Sequence, residues 1–258
     1  MDRIQKTFEN GKALITYITG GDPSLEFTRE IIPQLENAGA DIIEIGIPFS
    51  DPLADGPIIQ EASKRALKNG TTLKGILKTL DDIKEKTRVP IVLMGYYNSI
   101  LNYGLENFIS DAVCTGIAGI IVPDLPFDED KEFYKQVKES GLDPIFLVAP
   151  NTSERRLEAI SKLCSGFLYC VSLMGVTGDS RGPVSYLKEY SEKIRKYIDI
   201  PLAIGFGIDN PEKVKNSIAY FDGVIVGSAL VRIIDQNKEK RERMFGEIAD
   251  FVKNLKVW

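Results

Sequence analysis

Eight short apolar segments, repeated at fairly even intervals, constrain the fold of this 258-residue chain more than any other feature. They are rich in β-branched residues and apolar on both faces, which is typical of parallel strands covered by helices rather than of half-exposed antiparallel strands. Amphipathic helical patterns separate them, and Thr72, Ser153 and Asn210 are predicted caps at the starts of three of these helices. The eight predicted strands are residues 13–19, 41–47, 90–96, 117–123, 144–150, 166–172, 201–207 and 222–228.

The alternation of strands and helices predicts the fold class. Eight βα units in about 250 residues are the usual content of a (β/α)8 TIM barrel. We expect an α/β protein with a single TIM-barrel domain over residues 1–258, an extra helix before the first strand, and a short helix directly after the eighth. A doubly wound sheet is the alternative that the pattern leaves open. In a barrel, the active site lies where strands end and βα loops begin.

The composition excludes several kinds of function. The net charge is −5, whereas a nucleic-acid surface needs clustered Lys and Arg. No apolar run reaches the roughly 18 residues of a membrane span, and the amino-terminal residues do not resemble a signal peptide, so we expect a cytoplasmic protein. The chain has no His, which excludes a Ser-His-Asp nucleophile and argues against a zinc site. The three cysteines have no metal-ligand spacing, so no metal is predicted.

Glycine-containing loops after the late strands predict a phosphate site. These loops are residues 175–182, 205–207 and 227–228. Glycines let backbone amides approach an anion closely. The segment "GSALVRII" begins a helix at the last of these loops, and a helix N-terminus favours negative charge. Because TIM barrels often bind phosphate after strands seven and eight, we expect a phosphorylated small molecule to bind here.

A carboxylate in the second strand indicates acid–base chemistry. Alternation along residues 41–47 places Ile42, Glu44 and Gly46 on one face, and the β-branched residues of the other face would pack on helices. Glu44 would then point into the barrel mouth, where burial raises the pKa of a carboxyl group and suits it to proton transfer. Asp55, in the loop that follows, could approach the same cavity. A structural glutamate held by backbone amides is the alternative.

Two other lyase chemistries fit the sequence poorly. A Schiff-base aldolase needs a lysine inside a strand, and no interior strand residue is Lys. A metal aldolase would use histidine ligands, which the chain lacks. Carbon–carbon cleavage by this chain would therefore be driven by acids and bases, on a substrate that acts as its own electron sink.

Seven motifs occur in a fixed order along the chain. They are "EIGIPFSDPLADGPIIQ", "GYYN", "VPDLPFDE", "APNTS", "GVTGDSRG", "IGFGI" and "VGSALV". In this order they resemble the tryptophan synthase alpha subunit family, over essentially the whole chain. The resemblance implies a TIM barrel that cleaves indole-3-glycerol phosphate into indole and glyceraldehyde 3-phosphate. Indole would then be the electron sink that acid–base cleavage requires.

The resemblance also implies roles for individual residues. Glu44 would be the general acid and base that protonates the indole C3 and takes the glycerol hydroxyl proton, and Asp55 would accept from the indole N–H. Thr177 resembles a residue of a mobile loop that bonds Asp55 on closure and excludes water. Phe206 resembles an indole-pocket residue, with simple core packing as the alternative. The other implied substrate-binding residues are Tyr169, Gly178, Gly207, Gly227 and Ser228.

A partner is implied as well. The family works as an αββα heterotetramer with a pyridoxal-phosphate beta subunit, which takes indole through a tunnel, so no cofactor is expected in this chain. Pro48, Asp51, Asn98 and Pro126 would contact the partner. One departure is Ser99, where the family usually has a stiff proline. A stand-alone indole-releasing lyase, a non-catalytic activator of a beta subunit and a sugar-phosphate isomerase are the alternatives.

Overall fold

Parallel strands form a barrel wall at the centre of the molecule. The computed structural model describes residues 3–172, 183–205 and 207–258. In this part of the chain the strands are β1 (Ala13–Thr19), β2 (Ile42–Gly46), β3 (Ile91–Met94), β4 (Gly119–Ile121), β5 (Asp143–Ile145), β6 (Leu147–Val148), β7 (Leu168–Val171), β8 (Leu202–Gly205) and β9 (Gly223–Val226).

The ring of strands closes through the fifth predicted strand. The strand order is β5-β4-β3-β2-β1-β9-β8-β7-β6, and all neighbouring strands are parallel. The two ends of this order, β5 and β6, are consecutive pieces of one segment separated only by Phe146. The predicted TIM barrel is therefore confirmed, and the doubly wound alternative is excluded.

The fifth strand was predicted as one continuous run, but in the structure it consists of two pieces. Its first piece bonds one neighbour, since the Asp143 N–H donates to the Ala118 carbonyl at 2.9 Å. Its second piece bonds the other, since the Phe146 carbonyl accepts from the Tyr169 N–H at 3.0 Å. Pro144, in the middle of the first piece, has no N–H to donate. The segment thus changes neighbours at Phe146, which divides it into β5 and β6.

Helices surround the barrel. No helix among the described residues has the length and apolarity needed to cross a bilayer. The helices of this part of the chain are α1 (Arg3–Glu9), α2 (Leu25–Ala38), α3 (Pro57–Lys68), α4 (Leu73–Asp81), α5 (Tyr97–Tyr103), α6 (Leu105–Cys114), α7 (Lys131–Glu139), α8 (Glu154–Ser161), α9 (Pro183–Arg195), α10 (Pro211–Ile218), α11 (Ser228–Asn237) and α12 (Arg241–Leu255).

The predicted helix starts agree with the structure. The side chains of Thr72, Ser153 and Asn210 each accept a hydrogen bond from a backbone N–H in the first turn of the helix that follows. The extra amino-terminal helix is α1, and the short helix directly after the last strand is α11. The motif "GYYN" differs from the loop that we expected, because α5 begins at Tyr97 and Asn98 therefore lies in a helical turn.

Strand alternation separates two apolar cores. On β2, Ile43 and Ile45 pack in the outer core between barrel and helices, whereas Ile42 packs in the inner core, as predicted. Helix α1 contributes Ile4, which is fully buried in the inner core and contacts the start of β4. The inner core also includes Ile15, Val92, Ile121, Ile145, Phe167, Tyr169, Ala203 and Ile225.

One inner position requires glycine. Gly46 lies beside Tyr17 of β1, and a Cβ added at Gly46 would sit 2.6 Å from the Tyr17 Cζ. Gly46→Ala should therefore lower the free energy of unfolding by about 1–3 kcal/mol, because a buried ring would have to move. Gly246→Ala is the matched control: Gly246 lies in α12 with open space around it, so alanine should stabilise by about 0.5–1 kcal/mol.

Both free energies are measured by urea denaturation. Equal stability of wild type and Gly46→Ala would contradict the close packing of Tyr17 on β2.

Candidate active site

A cavity of about 170 Å³ lies at the carboxyl ends of the strands. Six of the residues predicted from the sequence line it: Glu44, Asp55, Tyr169, Gly207, Gly227 and Ser228. The predicted residues Thr177, Gly178 and Phe206 lie outside the described residues. The second strand, the loop after it and the late βα connections therefore meet in one place, as the motif positions predict.

Glu44 lies at the centre of β2 and points into the barrel. It is 1% exposed, and neither carboxyl oxygen has a hydrogen-bond partner among the described residues. No backbone amide there donates to it, so the alternative of a structural glutamate held by amides is wrong for this part of the chain. Burial, together with the nearby charge of Asp55, raises the pKa of Glu44 to about 8. Glu44 is therefore mostly protonated at neutral pH.

Asp55 is held by its own loop and by one tyrosine. Its N–H donates to the Pro52 carbonyl at 3.1 Å, and its carbonyl accepts from the Gln60 side chain at 2.9 Å. The Tyr96 hydroxyl hydrogen-bonds the Asp55 carboxylate and accepts from the Ala54 N–H at 2.9 Å. Burial raises the pKa of Asp55 to about 6, although the Tyr96 hydrogen bond opposes the rise. Asp55 is therefore mostly ionised at neutral pH.

The two carboxyl groups consequently differ in protonation over the range between about pH 6 and pH 8. Glu44 can donate a proton there, and Asp55 can stabilise a positive charge or accept a hydrogen bond. Such a separation of two pKa values is how a site assigns one carboxyl group as acid and another as anion. In the described residues, no three His, Cys, Asp or Glu side chains are grouped as metal ligands.

Two buried tyrosines form the inner wall of the cavity. Tyr17 projects from β1 and Tyr169 from β7, and burial raises the pKa of both hydroxyls well above the ordinary value, so both rings are neutral. Gly205 of β8 lies against the Tyr169 ring as Gly46 lies against Tyr17. Together with Met94, these rings give the cavity a flat apolar surface.

Tyr17 and Tyr96 are site residues that the sequence reasoning missed. Alternation along β1 places Tyr17 on the same inner face as Ile15, by the same rule that found Glu44. Tyr96 follows β3 in the motif "GYYN", at the strand end where barrel active sites lie. The signal for both residues was present. The contacts of Tyr17 and Tyr96 with groups distant in the chain could not be predicted from these patterns.

The part of the cavity at the start of α11 is suited to an anion. Gly227 precedes α11 as its N-cap and supplies no side chain to bond the first amides, which start at Ser228. Gly207 has a positive φ of 76°, which favours glycine. Unpaired N–H groups and the helix dipole favour negative charge here. Gly207, Gly227 and Ser228 line the same cavity, and their binding of a phosphate stays a prediction.

Arg65 forms a buried ion pair with Asp22 and also joins the two helices that begin at the cavity. Arg65 of α3 donates Nε to Asp22 Oδ1 and Nη2 to Asp22 Oδ2, both at 2.8 Å. Asp22 is 1% exposed, and the Arg65 Nη1 also lies 3.0 Å from Asp235 of α11. Helix α3 begins two residues after Asp55, and α11 begins at Ser228. Arg65 thus links α3, which follows Asp55, to α11, which begins at Ser228.

The predicted partner-contact residues follow β2, β3 and β4 on the cavity side of the barrel. Asp51, Asn98 and Pro126 are exposed, whereas Pro48 is buried within the chain. Two apolar side chains near them are exposed and were not predicted. Leu53 is 94% exposed, and Leu101 is 47% exposed.

Fold and cavity together define an acid–base enzyme of the TIM-barrel class. Comparison with known proteins identifies the family. The family model of the tryptophan synthase alpha chain matches residues 4–258. The tryptophan synthase alpha chain of Petrotoga mobilis is 67% identical over 258 residues, which is the whole of both chains. This chain belongs to the tryptophan synthase alpha chain family, as the sequence motifs predicted.

Solved structures of the family have the same fold. The alpha subunit from Legionella pneumophila superposes with a TM-score of 0.92 at 36% identity, covering 99% of this chain and 97% of that one. The A-subunit from Pyrococcus furiosus superposes with a TM-score of 0.86 at 38% identity, covering 95% and 98%.

Proposed function

We propose that this chain cleaves indole-3-glycerol phosphate into indole and glyceraldehyde 3-phosphate, as the lyase half of tryptophan synthase. The observation that carries this proposal is Glu44, a carboxyl group without a hydrogen-bond partner among the described residues, in a cavity that the N-terminus of α11 also lines. An isolated buried carboxyl group is costly to the fold. In a family of lyases, proton transfer to substrate accounts for it.

The substrate would span the cavity. Its phosphate would accept hydrogen bonds from the backbone amides at Gly207, Gly227 and Ser228, with the Ser228 hydroxyl as a further donor. Its indole ring would then lie between the walls formed by Tyr17 and Tyr169, next to the two carboxyl groups. This orientation places the ring beside the acid and the phosphate at the anion site. The reverse orientation would place the phosphate beside two carboxyl groups.

The first chemical step would be protonation of the indole ring. Glu44 in its protonated form would transfer its proton to the indole C3, and the ring nitrogen would take the resulting positive charge. The Asp55 carboxylate would accept a hydrogen bond from the indole N–H and stabilise that charge. This step needs Glu44 protonated and Asp55 ionised, which is the state of the site between about pH 6 and pH 8.

The second step would break the carbon–carbon bond. The Glu44 carboxylate, now a base, would take the proton of the hydroxyl on the carbon attached to C3. That carbon becomes the aldehyde of glyceraldehyde 3-phosphate, and the bonding electron pair returns to the ring to restore aromatic indole. Glu44 ends protonated, as it began, and no external electron acceptor is needed.

A beta subunit that carries pyridoxal phosphate would receive the indole. The proposed contact surface comprises Asp51, Asn98 and Pro126, which are exposed on the cavity side of the barrel. The neighbouring side chains Leu53 and Leu101 add apolar area, which supports a protein partner here. Because Pro48 is buried, it would support this surface from within the chain. The proposed assembly is the αββα heterotetramer.

A cytoplasmic location is also proposed. The substrate is a phosphorylated metabolite, and the free cysteines Cys114, Cys164 and Cys170 are compatible with a reducing compartment.

Replacing Glu44 tests the proposed chemistry. Glu44→Gln should bind substrate but lower kcat by about 10³-fold or more, because both proton transfers are lost. Glu242→Gln, an exposed substitution of the same kind on α12, should keep wild-type activity. The measurement is indole release from indole-3-glycerol phosphate, with and without a beta subunit.

Stimulation of wild type by the beta subunit would support the complex. Full activity of the isolated chain would instead favour the stand-alone lyase. Substantial activity of Glu44→Gln would rule out Glu44 as the catalyst.

The pH dependence of kcat/KM tests the protonation states. The rate should rise through the pKa of Asp55, about 6, and fall above the pKa of Glu44, about 8. Tyr96→Phe removes a hydrogen bond that favours ionised Asp55, so its acid limb should move to higher pH. Tyr103→Phe is the control, since the Tyr103 hydroxyl bonds Asp111. The substrate phosphate ionises identically in all variants, so a shift of the acid limb between variants reports on the enzyme. An acid limb that does not move in Tyr96→Phe would contradict the assignment of that limb to Asp55.

A further inference from the structure

The ionisable side chains that line the cavity are mostly acidic. Among the described lining residues, Glu44, Asp55 and Asp209 are acidic, and Arg232 is the single cation. A phosphate monoester carries a charge of about −1.5 to −2 at pH 7. Backbone amides contribute only partial charges. With Glu44 protonated and Asp209 paired with Lys213, the Asp55 carboxylate still opposes such a substrate, and Arg232 is the only side chain among the described lining residues that offers it a full positive charge.

The other cation near the anion end has partners already. Lys213 lies 2.9 Å from Asp209 and also donates to the Gly207 carbonyl at 2.8 Å. That pair neutralises Asp209 and fixes the Lys213 ammonium. Arg232 is exposed and pairs with no carboxylate of the described residues, although its side chain borders the cavity. Its guanidinium group is thus available to a ligand.

The position of Arg232 on α11 places it beside the anion end. It lies four residues after Ser228, so the two side chains are neighbours on the same face of the helix. Long helical side chains lean towards the helix N-terminus, which in α11 is the end that borders the cavity. The guanidinium fork matches phosphate oxygens and keeps its charge at every physiological pH.

We propose that Arg232 is the residue that selects for the phosphate group of the substrate. It pairs with the phosphate at the rim of the cavity, beyond the amides of Gly227 and Ser228. This assignment rests on the proposed function. Because Arg232 is exposed on α11 whereas Glu44 is buried within β2, it acts on substrate binding and leaves the proton transfers unchanged.

The test compares Arg232→Gln, Arg232→Lys and wild type, with Arg29→Gln as a matched control on α2, outside the cavity. Arg232→Gln should raise KM for indole-3-glycerol phosphate about three- to ten-fold, with kcat within about two-fold, as for one partly exposed charge-assisted contact. Arg232→Lys should recover part of the loss, because it keeps the charge without the fork. Arg29→Gln should match wild type.

Inorganic phosphate gives a readout that does not require turnover. Its Kd, measured by calorimetry, should increase in Arg232→Gln by about the same factor as KM. A folded Arg232→Gln, verified by circular dichroism, with wild-type KM and wild-type phosphate affinity would overturn the assignment. A fall in kcat at unchanged KM would overturn it too. Failure of the proposed function is distinguishable, because wild type itself would then release no indole.

Discussion

Glu44 holds a carboxyl group inside a barrel of apolar and aromatic side chains, and its oxygens lack hydrogen-bond partners among the described residues. Ionising it there costs on the order of 5 kcal/mol relative to water. Since its folded pKa lies above its unfolded value, the fold loses stability as pH rises from about 4.5 towards 8. The barrel thus carries a buried acid that its packing alone does not require, and the proposed chemistry uses that acid.

The rest of the structure keeps this acid in place and gives it a counterpart. The outer face of β2 packs Ile43 and Ile45 against the helices, which fixes the strand and therefore the direction of Glu44. Asp55 sits in a more polar setting, with the Tyr96 hydroxyl as a donor, so its pKa stays lower. Arg65 joins α3 to α11, so the carboxyl end and the anion end of the cavity share one support. The distance that a substrate must span is set by this framework.

Local patterns predicted most of the fold and part of the site. Strand alternation identified Glu44, glycine positions indicated the anion end, and the caps at Thr72, Ser153 and Asn210 marked helix starts. Contacts between distant segments were not predictable, because periodicity indicates which face of a strand or helix a residue lies on but not which residues it contacts. The hydrogen bond of Tyr96 to Asp55 and the change of strand neighbours at Phe146 are of this kind. Family resemblance, not geometry, supplied the substrate and the roles of individual residues.

Infrared spectroscopy directly measures the protonation of Glu44 at neutral pH, on which the proposed proton transfers depend. A difference spectrum between wild type and Glu44→Gln, recorded without substrate, isolates the carboxyl group of this residue. We expect a protonated carboxylic acid band at pH 7 that disappears in a single titration centred near pH 8. A carboxylate band at pH 7, with a titration near the ordinary value of about 4.3 for glutamate, would contradict it.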